Sequence, residues 1–469
     1  MAKIVVLGAG VCGLATAMLL SRDGHQVTAL ERDEDSVPES PEVAWERWTR
    51  DGVAQFRQAH FLHSRGRAVL EEELPGVADA LEAAGATRFD PVPLMPPSIA
   101  DRAPRPGDER FVSITARRPI LEQAFGRMAD AEPGLDVRRG VAVNDLMIRS
   151  YDGTPHVAGV RTQSGEQLTA DLVVDAMGRR SQLPRWLADA GVGPVYEESE
   201  DSGFIYYTRF FSSSNGAPPQ PRAPLLMPIG TFSILTLPGD GDTWSVTLYI
   251  STGDRPLKRL RDPDRWTAVV AACPLHAHWL EAEPITGVLP MSGVVDRYRR
   301  LVVNGRPVAT GVALVADAWA CTNPSLGRGI ALGLAHAQRL RDTARSHLED
   351  PAEFSEAWDA VTEAELTPWY RETVAEDRSR LAEINALRNG IESEGSTDPA
   401  TAFRAALIAA VGRDPEVFRA FMESRCCLTP LAKTLERAGF TDRVLGFADD
   451  GDRPPAPGPD RDQLLGLLS

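Results

Sequence analysis

The chain has 469 residues, of which 43% are hydrophobic and 25% are charged, a composition typical of a folded protein with more than one domain. Its formal net charge of -16 argues against a protein built to bind nucleic-acid phosphates or anionic lipid, so the expected partner is a small molecule. The five cysteines show no spacing typical of a zinc site or a disulfide framework, which predicts no metal site and a reducing, cytoplasmic location.

The N-terminal segment predicts a βαβ unit. Residues 3–7 have the pattern of a buried parallel strand, residues 12–21 that of a helix, and residues 26–30 that of the next strand. The apolar run at residues 4–20 resembles a signal peptide, but it contains glycines and lacks a small-residue cleavage site. No other stretch approaches the length of a membrane span, so no membrane partner is expected.

Helices and short strands alternate over the next part of the chain. Residues 65–84 favour helical pieces broken at Pro75, and the proline-rich residues 91–106 cannot form one regular element. We expect a helix at residues 118–131. Short strands are expected at residues 137–144, 157–162 and 168–174.

A longer alternation of apolar and polar residues follows at residues 204–211, 231–237 and 243–250. This pattern predicts an antiparallel sheet that forms one wall of a substrate cavity. Candidate substrate contacts on this wall are the aromatic and aliphatic residues Phe204, Tyr206, Phe232, Ile234 and Tyr249. The alternative is that these side chains only form the core beneath the sheet.

The last third of the chain is mostly helical in pattern. A last buried strand is predicted at residues 308–315, and helices are predicted at residues 329–348, 353–389 and 400–411. A proline-rich, acidic stretch at residues 449–462 precedes an apolar tail, which either docks as a short helix or stays disordered.

A glycine-rich motif, Gly8-Ala9-Gly10-Val11-Cys12-Gly13, joins the first strand to the first helix. In this context the first glycine makes a tight turn, the second lets a pyrophosphate approach the backbone, and the third allows close packing of helix on strand. An acidic residue ends the second strand, where it can bind ribose hydroxyls. The alternative is an ordinary glycine-rich turn, but the whole context favours a dinucleotide site. The predicted contacts are Gly8, Gly10, Val11, Cys12, Gly13 and Glu31.

Three further segments bear on which dinucleotide is bound: Glu31-Arg32, residues 172–181 and residues 314–329. They resemble the flavin monooxygenases with the para-hydroxybenzoate hydroxylase-like fold, especially the branch of styrene monooxygenases and polyether epoxidases. The resemblance implies an α/β fold with three parts. They are a Rossmann-like (GR2-type) FAD-binding domain at residues 1–90, 113–195 and 296–350, an inserted antiparallel-sheet substrate domain at residues 91–112 and 196–295, and a C-terminal helical region at residues 351–469.

The resemblance assigns roles in FAD binding to residues of the first two segments and to one arginine between them. Glu31 and Arg32 would bind the ribose and the adenine. Arg118, or its neighbour Arg117, would reach the phosphates. Gly178 belongs to the loop that the family places near the pyrophosphate.

The third segment is similar to the second FAD motif of the family. Asp317 would hold a ribityl hydroxyl, and Pro324 would lie beside the isoalloxazine ring. Gly327, Gly329 and Ile330 begin a helix whose amides would point at the flavin N1 and O2, where negative charge develops on reduction. A weaker similarity to the loop near the flavin covers Arg57, Gln58, His60 and His63, for which a surface arginine or a structural histidine is the alternative.

Two residues depart from the family pattern. Met177 stands where the classical hydroxylases have the aspartate of an Asp-Gly pair that binds both flavin and nicotinamide. Direct reduction by NADH or NADPH is therefore in doubt, and a separate flavin reductase becomes a plausible partner. Ala316 stands where the family usually has glycine before the aspartate.

The resemblance also implies an activity. Reduced flavin would react with O₂ to a C4a-(hydro)peroxide and deliver one oxygen atom to an apolar or aromatic small molecule, by epoxidation or hydroxylation, in bacterial secondary metabolism. A flavin-dependent dehydrogenase or reductase on the same fold is the first alternative. A flavin halogenase is disfavoured because its catalytic lysine has no counterpart here, and a non-catalytic nucleotide-binding protein is a further alternative. No feature of the sequence predicts the oligomeric state.

Overall fold

The computed structural model describes residues 1–213, 216–391, 399–448 and 457–469, with strands and helices numbered in chain order. Five parallel strands form its central sheet: β1 (Lys3–Leu7), β2 (Gln26–Leu30), β6 (Leu135–Arg138), β10 (Leu172–Asp175) and β21 (Val312–Leu314). Their order across the sheet is β21-β10-β1-β2-β6. The three strands at the β21 side are apolar almost throughout, as expected for a parallel sheet that is covered on both faces.

Helices lie in two layers over one face of the parallel sheet, and the outer layer packs on the inner helices. They are α1 (Val11–Arg22), α2 (Pro41–Glu46), α3 (Ser64–Glu73), α4 (Pro75–Ala83), α5 (Arg118–Asp130) and α8 (Gly329–His347). Apolar side chains of α1, α3, α4, α5 and α8 form one core. On the opposite face, Val5 and Val173 pack against Trp186 of α6 (Leu183–Asp189).

A second, antiparallel sheet stands apart from the first. Its strands are β12 (Phe204–Ser212), β13 (Leu226–Ile229), β14 (Phe232–Pro238), β15 (Thr243–Ser251), β16 (Glu283–Pro284) and β17 (Leu289–Met291). The order is β13-β14-β15-β12-β16, and β17 also pairs with β12. One face packs on α7 (Pro263–Ala271) around Trp244 and Trp266. The other face is therefore left to border the cavity described below.

Four small sheets complete the strands. They comprise β3 (Phe61–Leu62), β4 (Thr87–Phe89) and β5 (Ser113–Thr115); β7 (Val143–Tyr151), β8 (Thr154–Thr162) and β9 (Gln167–Thr169); β11 (Tyr196–Asp201), β18 (Val295–Arg300) and β22 (Ala320–Cys321); and β19 (Val302–Val303) with β20 (Arg306–Pro307). Two strands of the sheet formed by β11, β18 and β22 lie where the chain passes between the two large sheets. In chain order, β11 precedes the first strand of the antiparallel sheet, and β18 follows its last strand.

The C-terminal part is helical. It comprises α9 (Pro351–Glu365), α10 (Thr367–Arg388), α11 (Pro399–Val411), α12 (Pro415–Arg425), α13 (Leu431–Leu435), α14 (Phe440–Leu445) and α15 (Arg461–Leu467). The tail docks as α15, because Leu464 and Leu468 pack into the core beneath the antiparallel sheet. Within the described ranges, no helix is both long and apolar enough to cross a membrane.

Most predicted elements match the structure to within one or two residues, but five do not. The strand predicted at residues 157–162 begins three residues earlier, as β8. Residues 137–144 and residues 168–174 each divide between a parallel strand and a strand of the small β7-β8-β9 sheet. The strand predicted at residues 308–315 shortens to β21. Residues 353–389 form two helices, because Pro368 cannot donate an amide hydrogen and so starts a new helix. Of the predicted acidic stretch, residues 449–456 lie outside the described residues.

The close approach of α1 and α8 can be tested at Gly333, where a Cβ would lie 2.3 Å from the Sγ of Cys12. Gly333→Ala should lower the free energy of unfolding by about 1–3 kcal/mol in urea denaturation, because the Cys12 thiol would have to rotate away or the two helices would have to separate. Adding Cys12→Ala should recover part of the loss. The control is Gly466→Ala in α15, where the described atoms leave open space and alanine should stabilise. Equal effects of the two glycine substitutions would argue against close packing.

Candidate functional site

A cavity of about 530 Å³ lies between the carboxyl edge of the parallel sheet and the antiparallel sheet. All fourteen residues predicted to contact the cofactor, from Gly8 to Ile330, line this cavity. They come from segments that are far apart in the sequence, so only the fold brings them together. The cavity is therefore the candidate site for both a cofactor and a substrate.

The glycine-rich loop shapes one end of the cavity. Gly8 has a φ of 98°, and a Cβ there would lie 2.6 Å from the carbonyl oxygen of Ala176. A Cβ on Gly13 would lie 2.0 Å from the carbonyl oxygen of Gly8, whereas around Gly10 the described part of the chain leaves 4 Å of open space. Helix α1 starts after Gly10, and no side chain of the described residues caps it. Its first amides are thus available to a pyrophosphate.

A buried ion network holds Glu31 beside this loop. The Arg50 guanidinium binds the carboxylates of Glu31, Asp33 and Glu122, at 3.1 Å for Asp33 and 3.0 Å for Glu122. Glu31 also accepts a hydrogen bond from the Ala9 amide at 3.0 Å. The acid that the sequence predicts for ribose binding is therefore fixed in place. The sequence offered no sign of Arg50, because it lies in an irregular segment outside any motif.

The sequence left open whether Arg117 or Arg118 would reach the phosphates, and in the structure the two side chains have different partners. Arg118 is buried, lines the cavity and pairs with Glu122 at 2.6 Å. Arg117 instead pairs at 2.6 Å with Asp240, in the turn between β14 and β15. Arg32 lines the cavity with an exposed side chain. Of the predicted pair, Arg118 is thus the one that faces the candidate cofactor site.

The loop after β10 is anchored by Asp175. This carboxylate is fully buried and accepts hydrogen bonds from the Ser181 hydroxyl and, at 3.0 Å, from the Met177 amide. Burial raises the pKa of Asp175 to about 6, against the effect of these two bonds. Gly178 has a φ of 71° and lines the cavity. Methionine at position 177, where the classical hydroxylases have aspartate, therefore still allows its backbone amide to bond to Asp175.

The second motif begins with a residue in an unusual conformation. Ala316 has a φ of 51°, in the left-handed region that explains the family preference for glycine here. Its amide donates to Nδ1 of His336 at 3.1 Å. Burial lowers the pKa of His336 to about 3, so the ring stays neutral and can accept this bond. His336 thereby holds the turn that carries Asp317 into the cavity, a role the sequence did not reveal.

The start of helix α8 is held by a residue from the weaker motif. Pro324 and the residues after it form a tight turn that ends at Gly327, with a φ of 65°. Nε2 of His63 donates to the carbonyl oxygen of Leu326 at 2.7 Å, and burial lowers the pKa of His63 to about 4. His60 lines the cavity, whereas the guanidinium of Arg57 binds backbone carbonyls away from it. In the described residues, no cluster of three or more His, Cys, Asp or Glu could hold a metal ion.

The antiparallel sheet supplies the other wall of the cavity, with some residues that differ from those predicted. Tyr206 lines it as expected, whereas Phe204 and Tyr249 lie on the same face of the sheet, beside Tyr206 and against α10, outside the cavity lining. Phe232 and Ile234 lie on the opposite face, in the core over α7. Successive residues of a strand point to opposite faces, and the sequence pattern of β14 is apolar on both. The cavity is lined instead by Thr208, Leu235, Thr247, Met291 and Val294.

The fold and the arrangement of this cavity define the class: the chain has the fold of FAD-dependent monooxygenases with the para-hydroxybenzoate hydroxylase-like architecture. PqsL, a probable FAD-dependent monooxygenase from Pseudomonas aeruginosa, matches with a TM-score of 0.59 and 18% identity over 82% of this chain and 99% of that one. The flavin-dependent brominase Bmp2 matches with a TM-score of 0.60 and 14% identity, over 95% and 98% of the two chains. The predicted fold class is confirmed.

Sequence identity to the similar proteins is low, and no family model matches the chain. Protein Rv3254 of Mycobacterium tuberculosis is 27% identical over 361 residues, which is 72% of either chain. Kynurenine 3-monooxygenase of Xanthomonas euvesicatoria pv. vesicatoria is 26% identical over 391 residues, 76% of this chain and 75% of the relative. The likeness thus extends over most of the chain and is not confined to the glycine-rich motif.

The conformation of Ala316 gives a testable prediction. Ala316→Gly should raise the free energy of unfolding by up to about 1 kcal/mol, because relief of the left-handed backbone exceeds the extra entropy of glycine in the unfolded chain. Denaturant unfolding measures this change. The matched control is Ala318→Gly, a buried alanine in the same turn with an ordinary φ, which should destabilise the protein. Destabilisation by both substitutions would contradict the strain at Ala316.

Proposed function

We propose that the protein is an FAD-dependent monooxygenase that transfers one oxygen atom from O₂ to an apolar or aromatic small molecule, by epoxidation or hydroxylation. The observation that carries this proposal is the shared cavity. Two cofactor motifs line one end, and the inner face of an antiparallel sheet lines the other. A dinucleotide and a small substrate can therefore meet in one cavity.

The residues at the motif end fit FAD. The open space at Gly10 and the free amides of α1 suit a pyrophosphate, and Glu31 suits the adenosine ribose. Asp317, in the second motif, lines the cavity, as a ligand of the ribityl chain would, and burial raises the pKa of its carboxyl. The amides at the start of α8 would stabilise negative charge on the ring.

FAD, once reduced, supplies the chemistry by activating O₂, so the chain itself needs no nucleophile. Its own residues bind and orient the substrate and exclude water. Tyr206, Leu235 and Met291 form an apolar wall suited to that task. The names of the relatives support this proposal, since PqsL and kynurenine 3-monooxygenase are both named as monooxygenases.

We place the chain nearest the styrene monooxygenase and polyether epoxidase branch, in bacterial secondary metabolism. The support for this finer assignment is the run Asp175-Ala176-Met177-Gly178, which reads as in that branch. The same run bears on the electron supply from NADH or NADPH. With Met177 in place of an aspartate, we propose that a separate flavin reductase supplies the electrons.

The assignment of the glycine-rich loop can be tested by Gly10→Val. The valine side chain would fill the space left for the pyrophosphate, so FAD binding should fall at least about 100-fold in a fluorescence titration, whereas folding should persist. Gly193→Val is the matched control, because Gly193 is exposed, has an ordinary φ and also faces open space. Its FAD affinity should not change. Retained FAD binding in Gly10→Val, or wild-type protein that takes up no FAD, would contradict the proposal.

The electron supply can be tested on the FAD-loaded protein. We expect NADH and NADPH to reduce the bound flavin at least about tenfold faster with an added flavin reductase than without one, measured by the loss of flavin absorbance under anaerobic conditions. The variant Met177→Asp restores the classical residue and should leave FAD bound. Fast direct reduction of the wild type would overturn the two-component proposal. Product formed without O₂ would favour the dehydrogenase alternative.

A further inference from the structure

A chain of three polar side chains crosses the otherwise apolar wall of the cavity. Thr208 and Thr247 are neighbours on adjacent strands, β12 and β15, and their hydroxyls lie 2.9 Å apart. The Thr208 hydroxyl donates to Oε1 of Gln58 at 2.8 Å. All three residues are buried and line the cavity. This arrangement is a polar spot at the end of the cavity away from the glycine-rich loop.

The direction of these hydrogen bonds fixes the orientation of Gln58. Thr208 has one hydroxyl hydrogen, which it gives to Gln58, so Thr247 must be the donor to Thr208. The carbonyl side of the Gln58 amide is thus occupied. Its amide nitrogen makes one long bond, 3.4 Å to the carbonyl oxygen of Leu289, among the described residues. Gln58 therefore has a hydrogen to offer to a molecule in the cavity.

Charge is distributed unevenly around the cavity. The charged side chains among the described lining residues all belong to segments around the parallel sheet, namely Glu31, Arg32, Arg50, Arg118, Asp317 and the three arginines of residues 179–185. Of the described lining residues, those from the antiparallel sheet are apolar residues, one tyrosine and two threonines. His60, the titratable group beside Gln58, stays neutral because burial lowers its pKa to about 3. Arg118 also contributes to this lowering, but its guanidinium pairs with Glu122. A charged group brought to this end would therefore lose its hydration without gaining a counter-ion that is free of its own partner.

We infer that the substrate is an uncharged, largely apolar molecule with a hydrogen-bond acceptor, such as a carbonyl oxygen, that binds the amide nitrogen of Gln58. Gln58 is then a specificity-determining residue, and Thr208 and Thr247 are positioning residues that orient its amide. This inference rests on the proposed function, since it names the substrate class of the same cavity. A carboxylate of the same shape should bind less tightly, because Arg118, the cation that acts on the neighbouring His60, already pairs with Glu122.

The test uses three probes of one ring system: 2-acetylnaphthalene, which has a neutral acceptor, 2-naphthoate, which has a carboxylate of similar shape, and naphthalene. Their dissociation constants are measured by calorimetry on the FAD-loaded protein and on the FAD-free protein. We expect 2-acetylnaphthalene to bind at least about tenfold more tightly than 2-naphthoate, and about two- to tenfold more tightly than naphthalene, the range of one hydrogen bond.

Two variants test whether a preference for 2-acetylnaphthalene depends on the polar chain of Gln58, Thr208 and Thr247. Gln58→Leu should bind 2-acetylnaphthalene and naphthalene equally, whereas Thr208→Val should reduce the preference because the amide can then rotate. Gln167→Leu, on the outer strand β9, is the matched control and should keep it. Tight binding of 2-naphthoate, a preference that survives Gln58→Leu, or no binding of any probe would overturn the inference. Failure of the proposed function is distinguishable, because it would appear as a protein that takes up no FAD.

Discussion

At the carboxyl edge of the parallel sheet, the glycine-rich loop and the two helices that begin there pack too closely for a side chain at three glycine positions. A Cβ on Gly8, Gly13 or Gly333 would come within 2.6 Å of a neighbouring atom. This packing lets β1, β10 and β21 end at one level and lets α1 and α8 begin there together. The three loops that follow these strands consequently reach the same cavity, and the rest of the candidate site depends on their convergence.

The protein stabilises these loops by burying polar groups that have partners. Arg50 binds three carboxylates, Asp175 orders the loop after β10, and neutral His336 and His63 each hold one turn of the second motif. Each of these groups would destabilise the fold if it lost its partner. The arrangement therefore makes the loops rigid before a cofactor binds, which lowers the entropy cost of binding it.

The two ends of the cavity differ in physical character. The end formed by the parallel sheet is charged and rich in free backbone amides, as a dinucleotide phosphate requires. The end formed by the antiparallel sheet is apolar, with one polar chain through Thr208. The net charge of -16 describes neither end, because a ligand in the cavity responds to the charges that line it and not to the sum over the whole chain.

The sequence by itself determined the βαβ unit, the alternating strands and the positions of both cofactor motifs, because periodicity and glycine spacing are local properties. It could not determine which side of β14 faces the cavity, since Phe232 and Ile234 are as apolar as Leu235 on the other face. It also gave no sign of Arg50, His336 or the orientation of Gln58. These depend on contacts between segments distant in the sequence, and only the tertiary structure decided them.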